Sequence, residues 1–225
     1  MISLSIIVPV LNEADCIEDC LQPLQALRTQ QLEVILVDGG SEDDTCILAK
    51  PLVDKLLETD KGRARQLNFG AQNACGQLLV FLHADTLLSE KACVELLRLS
   101  GEARIWGRFD VKLSGKHYLF RIIEFFMNLR SRLSGIATGD QVIFCSRSLF
   151  EDAGGFPDIA LMEDISFSSR LKKMIAPVCC REKVLTSSRR WEEKGIVKTM
   201  IKMQCLRLRY ALGASPEILA TEYDG

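Results

Sequence analysis

Two acidic side chains follow apolar runs that have the length and composition of buried strands. Asp85 comes two residues after His83 at the end of the run Leu78–Leu82, and Asp38 ends the run Glu33–Asp38. Side chains of a strand alternate in direction, so His83 and Asp85 leave their strand on the same side. Carboxylate and phosphate oxygens are the ligands that Mg2+ and Mn2+ prefer. The pattern predicts a divalent-metal site that faces a phosphate-containing ligand.

The order of the predicted elements explains how these side chains reach one crevice. Strands are predicted at 3–9, 33–38, 78–82, 105–113 and 141–145, and helices at 12–27, 62–74, 118–132, 194–212 and from Glu163 onward. We expect Asn12 to cap the first helix, and Ser41-x-x-Asp44 resembles a capping box for another. Alternating strands and helices predict an α/β fold with a largely parallel sheet covered by helices on both faces. Ligands of such sheets bind outside the carboxyl ends of the strands.

Length and composition indicate one globular domain. The chain has 225 residues, 48% of them hydrophobic, and a net charge of −2. Residues 1–60 carry 3 basic and 12 acidic side chains, and the remainder carries 25 basic and 18 acidic ones. This polarity predicts either an anion-binding surface in the later part or an ordinary mixed surface.

Nine cysteines occur without a C-x-x-C pair or a zinc-type spacing, which indicates reduced thiols in a cytoplasmic protein. The N-terminus has no features of a signal peptide, and no apolar run is long enough to span a membrane. We expect no nucleic-acid partner.

The loop after the first strand, Pro9–Glu13, contains no glycine. A dinucleotide-binding loop or a P-loop would need a glycine-rich segment at this place, so neither is predicted. Asp38 could accept a hydrogen bond from a nucleotide base, and Asn12 or Glu13 could bind ribose hydroxyls. The alternative is that Asn12 and Glu13 only cap a helix.

Five segments together resemble the family 2 glycosyltransferases, which have the GT-A fold. They are Ser5-Ile-Ile-Val-Pro-Val-Leu-Asn-Glu13, Val37-Asp-Gly-Gly-Ser-x-Asp-Asp-Thr45, Gly62-Arg-Ala64, His83-Ala-Asp-Thr86 and Met162-Glu-Asp164. The resemblance covers nearly the whole chain. It is greatest to a compact bacterial subgroup described as selenodomain-associated transferases.

The resemblance implies which residues bind a nucleotide-diphosphate sugar. The nucleotide-binding set would be Pro9, Asn12, Glu13, Asp38, Gly39 and Ser41, with Arg63 and Arg65 facing phosphate. Asp85 would bind Mn2+ or Mg2+. His83 stands where the family carries the first acid of Asp-x-Asp, and it is either a second metal ligand or a histidine bonded to nearby backbone.

The resemblance also implies the reaction. Asp164 would be the base that takes the proton of an acceptor hydroxyl in an inverting transfer, beside Glu163, unless the two acids only cap a helix. Arg190 and Trp191 resemble the end of the Gln-x-x-Arg-Trp element, with Ser187 in place of the glutamine, and would contact the diphosphate and the acceptor. The small-residue loop before Asp140 and Gln141 would place both at sugar or acceptor hydroxyls, or would be only a turn.

The predicted function is therefore that of a metal-dependent inverting glycosyltransferase with a nucleotide-binding half (1–86), an acceptor and catalytic half (87–191) and a C-terminal helix and tail (192–225). One alternative is a sugar nucleotidyltransferase, which should have a glycine-rich loop after the first strand. The other is a non-catalytic nucleotide-sugar-binding module at a membrane surface.

The predicted C-terminal helix is amphipathic. Lys194, Lys198, Lys202 and Arg209 form one stripe, opposite Ile196, Met200, Met203 and Tyr210. The stripe either lies on the inner face of an anionic membrane, which would suit a lipid-linked acceptor, or is solvated while the apolar side packs on the sheet. Arg207 projects to the apolar side and needs a carboxylate or phosphate partner if it is buried.

Overall fold

The computed structural model describes residues 2–28 and 31–224. The strands are β1 (Leu4–Val10), β2 (Leu32–Asp38), β3 (Lys55–Glu58), β4 (Leu78–Phe81), β5 (Thr86–Leu87), β6 (Trp106–Leu113), β7 (Ile143–Ser146) and β8 (Val178–Thr186). The helices are α1 (Ile17–Leu21), α2 (Gln25–Arg28), α3 (Thr45–Ala49), α4 (Arg63–Asn73), α5 (Glu90–Leu99), α6 (Tyr118–Ser134), α7 (Arg147–Asp152), α8 (Glu163–Met174), α9 (Arg189–Lys194), α10 (Ile196–Ala211) and α11 (Pro216–Asp224). Short 3-10 turns occupy Gln22–Leu24, Lys50–Leu52 and Gly139–Gln141.

The strands form one mixed sheet in the order β3-β2-β1-β4-β7-β6-β8-β5. Its first four strands are parallel, β7 is antiparallel to both of its neighbours, and β6 is parallel to β8. Every residue of β2 and β4 is buried, as expected for strands covered on both faces. The predicted α/β fold with a mostly parallel central sheet is confirmed.

Helices pack on both faces of this sheet because successive strand side chains point to opposite sides. Ile6 belongs to the core that includes Ile17 and Leu21 of α1, whereas Ile7 belongs to the core that includes Leu67 of α4. Within the described part of the chain, no helix is both long and apolar enough to cross a bilayer.

The predicted start of the first helix is wrong. Asn12 has a φ of 56°, in the left-handed region, and α1 begins only at Ile17, with Cys16 before it. The capping box is also wrong, because the Ser41 hydroxyl donates to Asp38 and Asp44 makes no side-chain bond to α3. In both places the polar side chains bond the neighbouring loop, which competes with capping.

The boundaries of two later elements differ from the predicted ones because of the local backbone conformation. The strand predicted at 141–145 begins at Ile143, because Gly139–Gln141 form a 3-10 turn. The helix predicted at 194–212 corresponds to α10, and it is separated from α9 by Gly195, whose φ is 89°. The sequence patterns did not predict β3, β5, β8, α5, α7 or α11.

Helix α4 approaches the sheet closely at Gly70. A Cβ at this position would lie 2.5 Å from Ile7 Cγ2 and 3.0 Å from Val37 Cγ2. Both neighbours are buried in the core and have no space to move into. This contact sets how α4 presents Arg63 and Gln66 at the edge of the sheet.

We expect Gly70→Ala to lower the free energy of unfolding by about 1–2 kcal/mol, because the overlap with Ile7 and Val37 outweighs the better helix propensity of alanine. Urea denaturation measures the change. Gly101→Ala is the matched control, since no atom of the described residues lies within 4 Å of the added methyl. Equal stability of the two variants would show that α4 has room to shift.

Candidate functional site

A cavity of about 430 Å3 lies at the carboxyl ends of β1 and β4. Its polar and charged lining consists of Glu13, Lys61, Arg63, Gln66, His83, Asp85, Glu163, Arg190 and Tyr223. A smaller cavity of about 60 Å3 shares Arg63, His83, Glu163 and Tyr223 with it and adds Asp140, Asp164 and Arg207. Predicted site residues from distant parts of the chain therefore meet at one place.

The turn after β2 is hydrogen-bonded to the loop after β1, which lines the larger cavity. Asp38 is buried, and its carboxylate accepts hydrogen bonds from the backbone N–H of Gly40 and Ser41 and from the Ser41 hydroxyl. Ser41 Oγ in turn accepts the N–H of Asn12. Asn12, Asp38, Gly39 and Ser41 do not line the larger cavity, whereas Pro9 and Glu13 do. The predicted nucleotide-binding set thus divides into lining residues and residues that hold the lining loops together.

Gln66 holds the ends of β1 and β2 at a fixed separation. Its amide Nε2 donates to Val10 O and Val37 O, each at 2.8 Å, and the side chain is buried. A Cβ at Gly39 would lie about 3.1 Å from the Gln66 amide, so a residue without a side chain fits best beside it. Sequence reasoning missed Gln66, because it lies outside the apolar face predicted for this helix.

His83 packs against the loop before β7. A Cβ on Gly139 would overlap the imidazole ring, and His83 Nδ1 lies 3.8 Å from Asp140 Oδ1. Burial, and then the charge of Arg63, lower the pKa of His83 to about 3. The ring is therefore neutral at physiological pH, which leaves a nitrogen lone pair available for a cation or a hydrogen-bond donor.

Asp85 lies in a concentration of negative charge. Burial, and then the carboxylates of Asp140 and Glu13, raise its pKa to about 6. Its backbone oxygen accepts the N–H of Ser187, which ties the end of β4 to the segment before α9. A cation beside Asp85 would relieve this repulsion, so the residues present fit a divalent metal.

Within residues 2–28 and 31–224, no three Asp, Glu, His or Cys side chains converge as a complete metal site. Oxygen atoms of a bound diphosphate would have to supply further ligands.

Asp164 stands at the start of α8 with its carboxylate fixed by backbone donors. Oδ2 accepts the N–H of Gly139, and Oδ1 accepts the N–H of Ile165, both at 2.7 Å. Glu163 is buried beside it, 3.5 Å from the Arg63 guanidinium. Burial and the Asp164 carboxylate raise the pKa of Glu163 against the effect of Arg63.

The two predicted phosphate arginines of α4 differ in position. Arg63 lines both cavities and pairs with Glu163. Arg65 lines neither, and its guanidinium pairs with the exposed Asp158 at 2.9 Å. Two residues apart on a helix, the two side chains point to roughly opposite sides, so of the two only Arg63 is brought together with the other site residues.

Arg190 is held by the C-terminal helix α11. Its guanidinium lies 3.5 Å from the ring centroid of Tyr223 and donates to Tyr223 O at 2.8 Å. Trp191, by contrast, is half-buried against Val111, Leu113 and the inner face of α6, away from both cavities. Sequence reasoning missed Tyr223, because no motif marked α11 as part of the site.

Two further predicted elements lie elsewhere. Gln141 is fully buried under the loop, where its Oε1 accepts the Thr138 N–H, and it lines neither cavity.

The cationic stripe of the C-terminal segment faces α11: Lys202 donates to Tyr223 O and Arg209 pairs with Glu222. The apolar side of α10 packs on the protein, as the alternative interpretation of that helix predicted.

Sequence comparison assigns this arrangement to a known family. The family described as Glycosyl transferase family 2 matches residues 5–148, more than half of the chain. A PGL/p-HBAD biosynthesis glycosyltransferase of Mycobacterium bovis (strain BCG / Pasteur 1173P2) is 39% identical over 93 residues, 38% of this chain and 36% of that protein. A poly-beta-1,6-N-acetyl-D-glucosamine synthase of Staphylococcus aureus (strain MSSA476) is 32% identical over 87 residues, 36% of this chain and 21% of that protein. The matches thus span about a third or less of these relatives.

Solved structures show the same fold. Staphylococcus aureus TarS 1-349 in complex with UDP-GlcNAc aligns with a TM-score of 0.68 at 17% identity, over 83% of this chain and 58% of that one. The mannosyltransferase PcManGT from Pyrobaculum calidifontis in complex with GDP-Man and Mn2+ aligns with a TM-score of 0.66 at 22% identity, over 97% and 68%. The fold is the GT-A fold, and the chain belongs to glycosyl transferase family 2.

Proposed function

We propose that the protein is an inverting, divalent-metal-dependent glycosyltransferase that moves a sugar from a nucleotide-diphosphate sugar to an acceptor hydroxyl. The observation that carries the proposal is the convergence of Asp85, Arg63 and Asp164 on adjoining cavities at the carboxyl edge of the sheet. Each comes from a different element, and each has a chemical role in such a transfer.

The donor would lie in the larger cavity, between the loop after β1 and the end of β4. Pro9 and Glu13 would border the nucleoside, while Arg63 and Arg190 would face the diphosphate. Asp85, with His83 beside it, would hold Mn2+ or Mg2+, which supplies positive charge to the leaving diphosphate when bound. Neighbouring structures in complex with UDP-GlcNAc or with GDP-Man and Mn2+ support this assignment.

Asp164 would act as the base. As the acceptor oxygen forms its bond to the anomeric carbon and the bond to the diphosphate oxygen breaks, the hydroxyl proton passes to the Asp164 carboxylate. The two backbone N–H groups that bond this carboxylate fix its direction before the acceptor arrives. Glu163 keeps Arg63 beside the reacting groups.

In this proposal, residues 1–86 bind the nucleotide, residues 87–191 supply the base and the acceptor side, and residues 192–225 close the cavity through Tyr223. All nine cysteines are unpaired thiols, which fits a cytoplasmic protein. A sugar nucleotidyltransferase is less well supported, because the loop from Val10 to Glu13 has no glycine to approach a phosphate.

Removal of the Asp85 carboxylate should abolish the dependence of nucleotide binding on metal. In wild type, UDP or GDP should raise the melting temperature only with Mn2+ or Mg2+ present, and Asp85→Asn should weaken that binding about tenfold or more. Thermal shift with and without chelator measures both effects. Asp158→Asn is the control, an exposed carboxylate that pairs with Arg65 outside the cavities. An unchanged wild-type shift in chelator would refute the metal role.

Asp164→Asn should separate binding from chemistry. The asparagine Oδ1 can still accept the Gly139 N–H, so donor affinity should stay within about threefold while transfer slows about a hundredfold or more. Single-turnover transfer or donor hydrolysis gives the rate, and titration gives the affinity. Asp152→Asn, an exposed partner of Arg104, should leave both unchanged. A rate near that of wild type would remove Asp164 from the role of base.

The Glu163 carboxyl should make the protein less stable as pH rises. The pKa of Glu163 is raised in the folded state above the ordinary value of 4.5. Protonation of this carboxyl therefore stabilises the folded state at low pH, and this stabilisation is lost as the pH rises through the folded-state pKa. Between about pH 5 and about pH 8, Glu163→Gln should therefore gain ~1–3 kcal/mol of unfolding free energy relative to wild type. Urea denaturation at both values tests this. Parallel pH profiles would contradict the burial of an ionised Glu163.

A further inference from the structure

Helix α6 has an apolar face that the rest of the described chain leaves exposed. Phe120, Ile123 and Met127 point into the core, yet a second set of large side chains on the opposite side is exposed. This outer stripe consists of Tyr118, Ile122, Phe125, Phe126, Leu129 and Leu133. Leu133 is 80% exposed and Phe125 is 61% exposed. At 100° per residue the six side chains fall within about a third of the helix circumference.

Helix α10 carries a matching outer stripe. Val197, Ile201, Leu208 and Leu212 are exposed and recur at helical spacing. The two helices share a core contact, since Ile196 and Met200 of α10 pack against the inner residues of α6. A groove of about 490 Å3 lies where α6, α8 and α10 meet, lined by Arg130 from α6, Ile165 from α8 and Leu208 from α10. We call the two stripes and this groove the α6–α10 face.

The charges of the two helices have one sign. The helices carry seven basic side chains, and their single acidic residue, Glu124, is buried. Some of the basic groups have partners on other elements, such as Arg132 with Asp110 and Arg209 with Glu222. The face is therefore apolar along its centre and free of exposed carboxylates on the two helices, while Lys202 and Arg209 lie on the side of α10 that faces α11.

Arg130 and Arg207 both line the groove, and neither forms an ion pair with a described residue, although the carboxylates of Asp164 and Asp140 lie within electrostatic range of Arg130. Nε and Nη2 of Arg130 are buried and have no hydrogen-bond partner within the described residues. Burial, and then the charge of Arg207, lower the pKa of Arg130 to about 10. Arg207 also has no ion pair among residues 2–28 and 31–224. A phosphate, with several oxygen acceptors, would give the partnerless Arg130 nitrogens and the neighbouring Arg207 guanidinium hydrogen-bond partners.

We propose that the α6–α10 face docks on an anionic lipid bilayer and that Arg130 and Arg207 bind a lipid phosphate in the groove. Exposed aromatic and aliphatic side chains would enter the interface, and the basic groups would meet the negative surface potential. The charges favour this occupant over a second copy of the chain, because an isologous contact centred on Arg130 and Arg207 would bring like charges of the two copies together.

The docking surface is adjacent to the candidate site. Arg207 lines both the groove and the smaller cavity that contains Asp164. Docking would therefore place the base near the head-group layer and direct the enzyme to an acceptor that is itself a lipid or is attached to one. This consequence rests on the proposed function, whereas the docking itself does not.

Co-sedimentation with vesicles tests the docking without nucleotide, metal or turnover. Wild type should bind vesicles of equal parts phosphatidylcholine and phosphatidylglycerol about tenfold or more tightly than vesicles of phosphatidylcholine alone, and added salt should weaken the binding. Phe125→Ser with Leu133→Ser should abolish it. Arg130→Gln with Arg207→Gln should weaken binding to the anionic vesicles about tenfold.

Matched controls separate this face from the general surface. Ile47→Ser with Val94→Ser removes exposed apolar side chains of α3 and α5, and Arg98→Gln with Arg104→Gln removes exposed cations elsewhere. Both control pairs should bind like wild type, and circular dichroism confirms folding of all variants. No binding at low salt, or equal binding by the stripe variant and its control, would overturn the proposal. A wild-type dimer that the stripe variant dissociates would also overturn it, in favour of a second copy.

The same variants keep the two proposals apart. A melting shift with nucleotide diphosphate and Mn2+ in the Phe125→Ser, Leu133→Ser protein would support the donor site whatever the vesicles show. Vesicle binding without any nucleotide-induced shift would support docking and contradict the proposed transferase activity.

Discussion

The two parts of the candidate site meet at Gly139, and the rest of the site depends on that contact. The His83 ring occupies the space that a Cβ would take, and the Gly139 N–H bonds the Asp164 carboxylate. One residue without a side chain therefore sets the separation between the end of β4 and the start of α8. Any larger residue would displace either the imidazole beside Asp85 or the carboxylate proposed as the base, which explains why a small-residue loop precedes β7.

Charge is concentrated at this junction at a cost in stability. The environment lowers the pKa of His83 and raises the pKa values of Asp85 and Glu163. In each of the three groups the charged form is therefore disfavoured. A donor diphosphate with a cation would add opposite charges beside Arg63 and Asp85 respectively. The unfavourable electrostatics of the cavity lining match the charges of the ligand that we propose, in keeping with the local violations expected at functional sites.

The sequence predicted the first part of the fold well, since β1, β2 and β4 are apolar runs with polar tips and α8 begins where Glu163 was expected. It did not anticipate features that depend on contacts between residues far apart in the sequence. Asn12 bonds the turn after β2 and does not cap a helix, and the orientation of Arg65 follows from Asp158, ninety-three residues away. The roles of Gln66 and Tyr223 depend on which backbone groups lie above them, which no local pattern encodes. The cationic stripe of α10 was visible in the sequence, but its coverage by α11 was not.

Hydrogen–deuterium exchange with nucleotide diphosphates is the most direct test of the central claim that the cavity at the ends of β1 and β4 is the donor site. With Mn2+ and the diphosphate that gives the largest melting shift, we predict slower exchange at residues 9–13, 61–66, 83–86 and 216–223, and no change in α5 or α7. These segments surround the cavity and have no other feature in common. Protection at a different surface, or no protection at saturating concentrations of the uridine, guanosine, adenosine, cytidine and thymidine diphosphates, would contradict the account.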